Sequence, residues 1–203
     1  MNLTWLGHSC FILESLGYRI IIDPFKDVKG LNDVEASVNG VYCSHGHFDH
    51  SYTEKIKTEF KIENPFKIKE VLSYHDDKQG RLRGKNTIRS FCSHGVNLVH
   101  LGDLGHELSD KQISQLGKVD VLLLPIGGTY TIDPKEAKSV AEAINPRLII
   151  PMHYREGEKG FPELASLPEF TDLFPSELIK YYDGQSLSLS PGMEKQIAVL
   201  KMP

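Results

Sequence analysis

The chain has 203 residues, with 23 Lys and Arg against 27 Asp and Glu for a net charge of −4, and 40% of its residues are hydrophobic and 25% charged. These proportions match an ordinary folded domain, and the length suits one core large enough to stand alone. A mildly acidic chain carries no global field that would recruit nucleic acid or an anionic membrane. In chain order, Asn2 to Leu6, Cys10 to Leu13 and Tyr18 to Ile22 predict short strands separated by the turn formers Gly7 and Gly17, so the chain opens as a meander. Val41 to Ser44 predicts a short strand that runs into a histidine cluster, and Phe66 to Ser73, Thr87 to Cys92 and Val96 to His100 predict further strands. After Asp103 the pattern alternates. Ser109 to Leu116 predicts a helix with Ser109 as its N-cap, Val119 to Leu124 a buried strand, and Asp133 caps a helix that carries Pro134 at its first position and runs to Ile144. Leu148 to Ile150 is another strand, Pro162 to Phe174 a loop or short helix, and Ser186 to Leu200 closing strands. Strands, then alternating helix and strand, then strands again imply a single α/β domain over residues 1–203 with helices outside a sheet core.

The three cysteines, Cys10, Cys43 and Cys92, are odd in number and widely spaced, which favours free thiols in a reducing cytosol over a disulfide framework. Polar residues interrupt every apolar run from Met1 to Ile22, so neither a signal peptide nor a membrane span is expected and the predicted location is cytoplasmic. The unusual feature of the composition is its nine histidines.

Four of the chemistry-bearing residues are close together. His45, His47, Asp49 and His50 form H-x-H-x-D-H directly after an apolar strand. On an extended backbone residues i and i+2 face one side, so His45 and His47 can present two imidazoles to one point, while Asp49 and His50 follow at a turn and aim at a second. Imidazole and carboxylate suit zinc, iron and manganese, and chance places this pattern in roughly one chain of this size per thousand. Two metal sites need further ligands, and His75, Asp103 and His153 stand at the ends of predicted strands, where side chains converge on one edge of a sheet.

This ordered set resembles the ligand series of the metallo-β-lactamase superfamily. The surrounding segments Leu6-Gly7-His8-Ser9, Ile22-Asp23-Pro24, Gly102-Asp103, Leu124 to Gly128 and Ile150 to Tyr154 are similar to its branch of metal-dependent hydrolases related to L-ascorbate-6-phosphate lactonase. The resemblance implies a four-layer αββα sandwich with the site at one edge between the sheets. It implies His45, His47 and His75 on one metal, Asp49, His50 and His153 on a second, and Asp103 bridging them. Asp23 matches an aspartate that accepts a hydrogen bond from a ligand imidazole and fixes its tautomer. The diiron flavoprotein reductases of the same fold usually carry glutamate where this chain has His47, and the related processing nucleases are usually longer, with an added RNA-binding arm.

Two divalent ions, zinc first with manganese or iron as alternatives, would lower the pKa of a bound water to about 7, and the resulting hydroxide would cleave an ester, lactone, amide or phosphodiester bond. Asp49 could accept the proton of the attacking water, and His8, His106 and Tyr130 are candidates to protonate the leaving group. His94 and His100 read as structural. Lys78, Arg81, Arg83, Lys85 and Arg89 crowd the segment after His75; Arg81, Arg83 and Lys85 could grip an anionic group on a small substrate. The loops Lys26 to Val38, Asp76 to Asn86 and Arg155 to Pro175 would set specificity. The alternatives are a metal-dependent nuclease or phosphodiesterase, and a metal-binding module without turnover; a homo-oligomer is compatible with the exposed edges of the fold.

Overall fold

The structure is a computed structural model that describes residues 1–59 and 62–203. Two sheets face each other. The first orders β13-β1-β2-β3-β5 and is built from β1 (Asn2–Gly7), β2 (Cys10–Ser15), β3 (Tyr18–Ile22), β5 (Gly40–Tyr42) and β13 (Ser186–Ser188). The second orders β12-β14-β11-β10-β9-β8-β7, from β7 (Lys67–Tyr74), β8 (Lys85–Ser93), β9 (Val96–His100), β10 (Val121–Pro125), β11 (Leu148–Met152), β12 (Ile179–Tyr181) and β14 (Gln196–Val199). Antiparallel hairpins open each sheet, and β9, β10, β11, β14 and β12 run parallel.

The sequence dictates which faces are buried. In β1 to β3, Leu3, Trp5, Phe11, Leu13, Ile20 and Ile22 alternate onto the inner face and join the main core. β10 and β11 read as continuous apolar runs and are buried throughout, as parallel strands covered on both faces must be. Helix α1 (Asp110–Leu116) packs on β7, α2 (Pro134–Ile144) on β10, and α3 (Leu167–Thr171) on α2. Both predicted caps are formed: Ser109 and Asp133 accept backbone N–H groups, each completed into a capping box by Gln112 or Glu136.

The expected sandwich is present, with one difference in its outer layers. Among the described residues the three α-helices all lie between β9 and β12, strands of the second sheet. The outer face of the first sheet is covered instead by residues 23–39 and by the two-stranded pair β4 (Ala36–Val38) and β6 (Ile56–Thr58). Phe25, Val28, Val34 and Val38 from this segment bury Cys10, Ile12 and Ile21, the side chains that alternate outward from β2 and β3. Pro162 to Phe174 contains the short helix α3, and the closing segment splits into β13 and β14. Among the described residues no helix is long and apolar enough to cross a membrane.

The fold places one set of strand ends together. The β1–β2 turn and the segments leaving β3, β5, β7, β9, β10 and β11 carry His8, Asp23, His45 to His50, His75, Asp103, Gly127 and His153 respectively. Three of these, His8, Asp23 and His153, have φ of 50°, 49° and 54°. Left-handed backbone costs a non-glycine residue roughly 1–2 kcal/mol. The fold holds two of them by backbone bonds, Asp23 N–H to Tyr42 and His153 N–H to His8, and strain maintained in this way clusters at functional sites.

Candidate metal centre

His45 to His50 leave β5 as a series of bends closed by a tight turn, the His50 N–H donating to the His47 carbonyl at 3.0 Å. The backbone is therefore not extended here as the i, i+2 spacing predicts. The two imidazoles still converge, with ring centroids 4.6 Å apart, and His75 reaches both from β7, at 4.7 and 5.1 Å. The ring nitrogens of His45, His47 and His75 lie within 4.8 Å of one another; so do donor atoms of His8, Asp49, His50 and His153, and of His45, His50 and Asp103. Asp103 lies among them. Its Oδ2 is 3.2 Å from the Nε2 atoms of His50, His75 and His153 and 4.0 Å from that of His45.

Asp23 sets the chemistry of this cluster. It is fully buried, accepts the Ser44 N–H on Oδ1 at 2.6 Å, and accepts the Ser44 hydroxyl and His50 Nδ1 on Oδ2 at 2.6 and 2.9 Å. Because the single Ser44 hydroxyl proton goes to Asp23, Ser44 Oγ is the acceptor for His45 Nδ1, 2.9 Å away. One carboxylate thus fixes two imidazoles, His50 directly and His45 through Ser44. With Nδ1 engaged in these bonds, each ring turns its Nε2 into the cluster.

That arrangement crowds more polar atoms around Asp103 than it can pair. A carboxylate oxygen has two lone pairs, so three imidazole nitrogens at 3.2 Å cannot all donate to Asp103 Oδ2. The Nε2 atoms of His45, His50 and His153 and the Asp103 Oδ1 are buried with no hydrogen-bond partner. Buried polar atoms are ordinarily paired. A divalent cation supplies what a set of imidazole lone pairs and carboxylates lacks, and these residues fit one.

The charges respond to the same crowding. Burial, then the neighbouring His50, lowers His45 to about 3, and burial with His75 lowers His47. Burial also opposes charge on His50, yet Asp103 and Asp23 together hold it well above the usual histidine range. Burial works in the same sense on His75, and its bond to Asp103 outweighs it and raises the group. Asp103 is held well below the usual carboxylate range despite its burial, by His153 and His50.

His8, expected to be a catalytic acid, lies behind Asp49 with its Nε2 3.3 Å from Asp49 Oδ2. Burial, then His153, lowers His8 to about 4, while its hydrogen bond and His50 keep Asp49 ionised against the effect of burial. A neutral His8 that donates to Asp49 has given its proton to that contact. The structure overturns a catalytic reading of His106: its Nδ1 meets the Glu107 carbonyl, its Nε2 accepts the Tyr74 N–H, and it borders a different hollow. His100 is structural, its ring bonded to the Ser9 carbonyl and the Gly102 N–H, and so is His94, between Ser15 and Ser93. Tyr130 and Arg83 reach the cavity beside the cluster, whereas Arg81 and Lys85 are exposed and stand outside its lining. Lys78 is paired with Asp77, and Arg89 with Glu70 and the Cys43 carbonyl.

Sequence reasoning missed Ser44 and also Asn86, a buried β8 residue whose Oδ1 accepts the Asp103 N–H at 3.0 Å. A cue for Asn86 lies at Gly102: with φ of +57°, a Cβ there would stand 2.2 Å from Asn86 Oδ1 and 2.6 Å from the Ser44 Cβ. Only glycine lets the Asp103 turn close this tightly.

Residues 2–153 match the model of the β-lactamase superfamily domain. The chain belongs to the metallo-β-lactamase superfamily. Among relatives, the superfamily chain is 31% identical to a UPF0173 protein of Pyrococcus furiosus, across 80% of this chain and 88% of the relative. It is 29% identical to a UPF0173 metal-dependent hydrolase of a Geobacillus species, across 95% and 98%. A crystal structure from Thermotoga maritima, assigned as a zinc-dependent hydrolase of this superfamily, superposes with a TM-score of 0.80 at 37% identity and covers 100% of this chain and 99% of its own.

Proposed function

We propose that this superfamily member cleaves an ester, lactone, amide or phosphodiester bond of a small, anionic substrate at a dinuclear metal centre. It is a metal-dependent hydrolase, the description that the Geobacillus relative carries. The dinuclear reading rests on one observation: three donor sets joined by His45 and His50 crowd around Asp103, whose Oδ2 is 3.2 Å from His50, His75 and His153, with buried imidazole and carboxylate atoms left unpartnered among them. His45, His47 and His75 would hold one ion, Asp49, His50 and His153 the second, and Asp103 both. Zinc is the first choice, in keeping with the assignment of the Thermotoga neighbour. Divalent ions there supply Lewis acidity, which acidifies water and polarises a carbonyl or phosphoryl oxygen.

The chain's own groups do the rest. Asp49, kept ionised and oriented by His8, is placed to accept a proton from attacking water. No serine or cysteine nucleophile is required. Tyr130 stands on the cavity wall with its hydroxyl proton given to Glu163, so it would protonate a leaving oxygen only by releasing that contact. Asp23 and Ser44 hold the imidazoles of His50 and His45 with their lone pairs toward the ions.

The test is direct. The protein purified without chelator should contain close to two divalent ions per chain and hydrolyse at least one member of a panel of lactones, phosphodiesters, thioesters and β-lactams. Asp103→Ala and His45→Ala should lower both metal content and turnover. A native protein that binds no transition metal, or variants that keep full occupancy, would overturn the assignment; bound metal without turnover would favour a metal-binding module.

A further inference from the structure

The cavity beside the donor cluster has a volume of about 440 Å³, in the range of small-molecule sites. Beside the metal-ligand residues its wall carries three aromatic rings, Phe48, Tyr130 and Phe161. Phe161 ties this wall together, standing edge-on to Phe48 at 6.5 Å, to Tyr130 at 6.3 Å and to His8 at 5.6 Å. Phe48 lies between His47 and Asp49 on the turn that carries the ligands, yet it is 50% exposed. An apolar ring left bare inside a metal motif gains free energy when a partner covers it.

One cation accompanies the wall. The Arg83 guanidinium lies 5.7 Å from the Tyr130 ring centroid, and it pairs with no carboxylate among the described residues. The nearby Glu163 accepts the Tyr130 hydroxyl. The loop that delivers Arg83 is built for the purpose: Asp76, directly after His75, accepts the N–H groups of Lys78, Gly80, Leu82 and Arg83 at 2.8 to 3.0 Å. The carboxylate that folds this loop is thus one residue from a ligand of the centre.

We infer that the substrate presents a flat apolar group to Phe48, Tyr130 and Phe161 and a negative charge to Arg83, with its scissile bond over the metal ligands. This rests on the hydrolase reading above and adds the chemical class of the substrate: an aryl or similarly flat apolar acid derivative rather than a sugar or a polynucleotide. A sugar would need hydrogen-bonding groups where the wall has three rings, and a polynucleotide would need several cations where the cavity has one unpaired.

Three hydroxamates on the zinc-loaded full chain, measured by calorimetry, separate the contributions. Acetohydroxamate reports the metal grip alone, benzohydroxamate adds a ring, and 4-carboxybenzohydroxamate adds a ring and a charge. The Kd should fall about tenfold on adding the ring and about threefold more on adding the carboxylate, a modest step because Arg83 is exposed. Phe161→Leu should shrink the ring step and Phe161→Ala abolish it, while Arg83→Gln should abolish only the carboxylate step, each variant being compared with its own acetohydroxamate affinity. Equal Kd values for the three probes, or steps that survive these substitutions, would overturn the inference with the metal centre intact. A chain that carries no zinc and binds none of the three would overturn the hydrolase reading and this inference with it.

Discussion

Asp23→Asn tests the wiring of the metal centre most sharply. The native carboxylate receives three donors, the Ser44 N–H, the Ser44 hydroxyl and His50 Nδ1, within 2.6 to 2.9 Å. The amide that replaces it has one acceptor oxygen and one NH₂. In its better orientation the oxygen keeps Ser44 Oγ and His50, and the NH₂ opposes the Ser44 N–H. A hydrogen bond to a charged group contributes about 1.5–3 kcal/mol, and the two surviving bonds weaken on loss of charge, so the metal-free form should lose about 3 kcal/mol in urea unfolding. The φ of 49° is one that asparagine tolerates, so backbone strain adds little.

The larger consequence is for metal binding. The amide oxygen accepts from His50 Nδ1 and the Ser44 hydroxyl more weakly than a carboxylate, so the rings of His50 and, through Ser44, His45 are held less firmly with Nε2 toward the cluster, and zinc affinity at pH 7 should fall roughly 10- to 100-fold in competition with a chromophoric chelator. Ser44→Ala interrupts only the branch to His45 and should weaken the ion on the His45, His47 and His75 side while sparing the other. An Asp23→Asn protein that loses stability but keeps zinc affinity within twofold would refute this reasoning and leave Asp23 as a turn residue alone.

Gly102→Ala would put a Cβ 2.2 Å from Asn86 Oδ1 at a φ of +57° and displace the Asp103 turn, so melting should show a loss of at least about 2 kcal/mol, with reduced metal content. His106→Ala should leave metal content unchanged and cost about 1 kcal/mol of stability, from the Tyr74 N–H that it leaves without an acceptor. Four N–H bonds, Arg83 first, outweigh burial and hold Asp76 at about 2, below its unfolded value of about 3.9. Its stabilisation is therefore complete above pH 4 and lost as the pH falls toward 2. The stability gap between wild type and Asp76→Asn, measured by urea unfolding across that range, should close on acidification, and a pH-independent gap would show that the charge is not what holds the loop.

What could be read from the chain depended on how local the signal was. His45, His47, Asp49 and His50 sit in one six-residue stretch, so their spacing alone suggested a shared centre. His75, Asp103 and His153 could be added because each follows a predicted strand, whose ends a sheet delivers to one edge, and because their order resembles the superfamily's ligand series. Ser109 and Asp133 announced their helices by cap chemistry. The strands β4, β6 and β12 span three residues each, too few for an alternating pattern to register. The covering of the first sheet by residues 23–39 rests on Phe25, Val28, Val34 and Val38, whose spacing follows neither a helical nor a strand period. Arg83 could not be told from Arg81 or Lys85 by sequence, since the choice among them depends on how Asp76 folds the intervening backbone. Ser44 and Asn86 act through tertiary hydrogen bonds that leave no trace in spacing.

The central claim is that one Asp103 carboxylate joins two ion sites built from these particular ligands. A crystal structure of the zinc-loaded protein, with data collected at the zinc edge, tests it in a single measurement. Two anomalous peaks should appear, one about 2.0–2.2 Å from His45, His47 and His75, the other at that distance from Asp49, His50 and His153, with Asp103 within reach of both. A single peak, or peaks at other residues with this cluster bare, would contradict it.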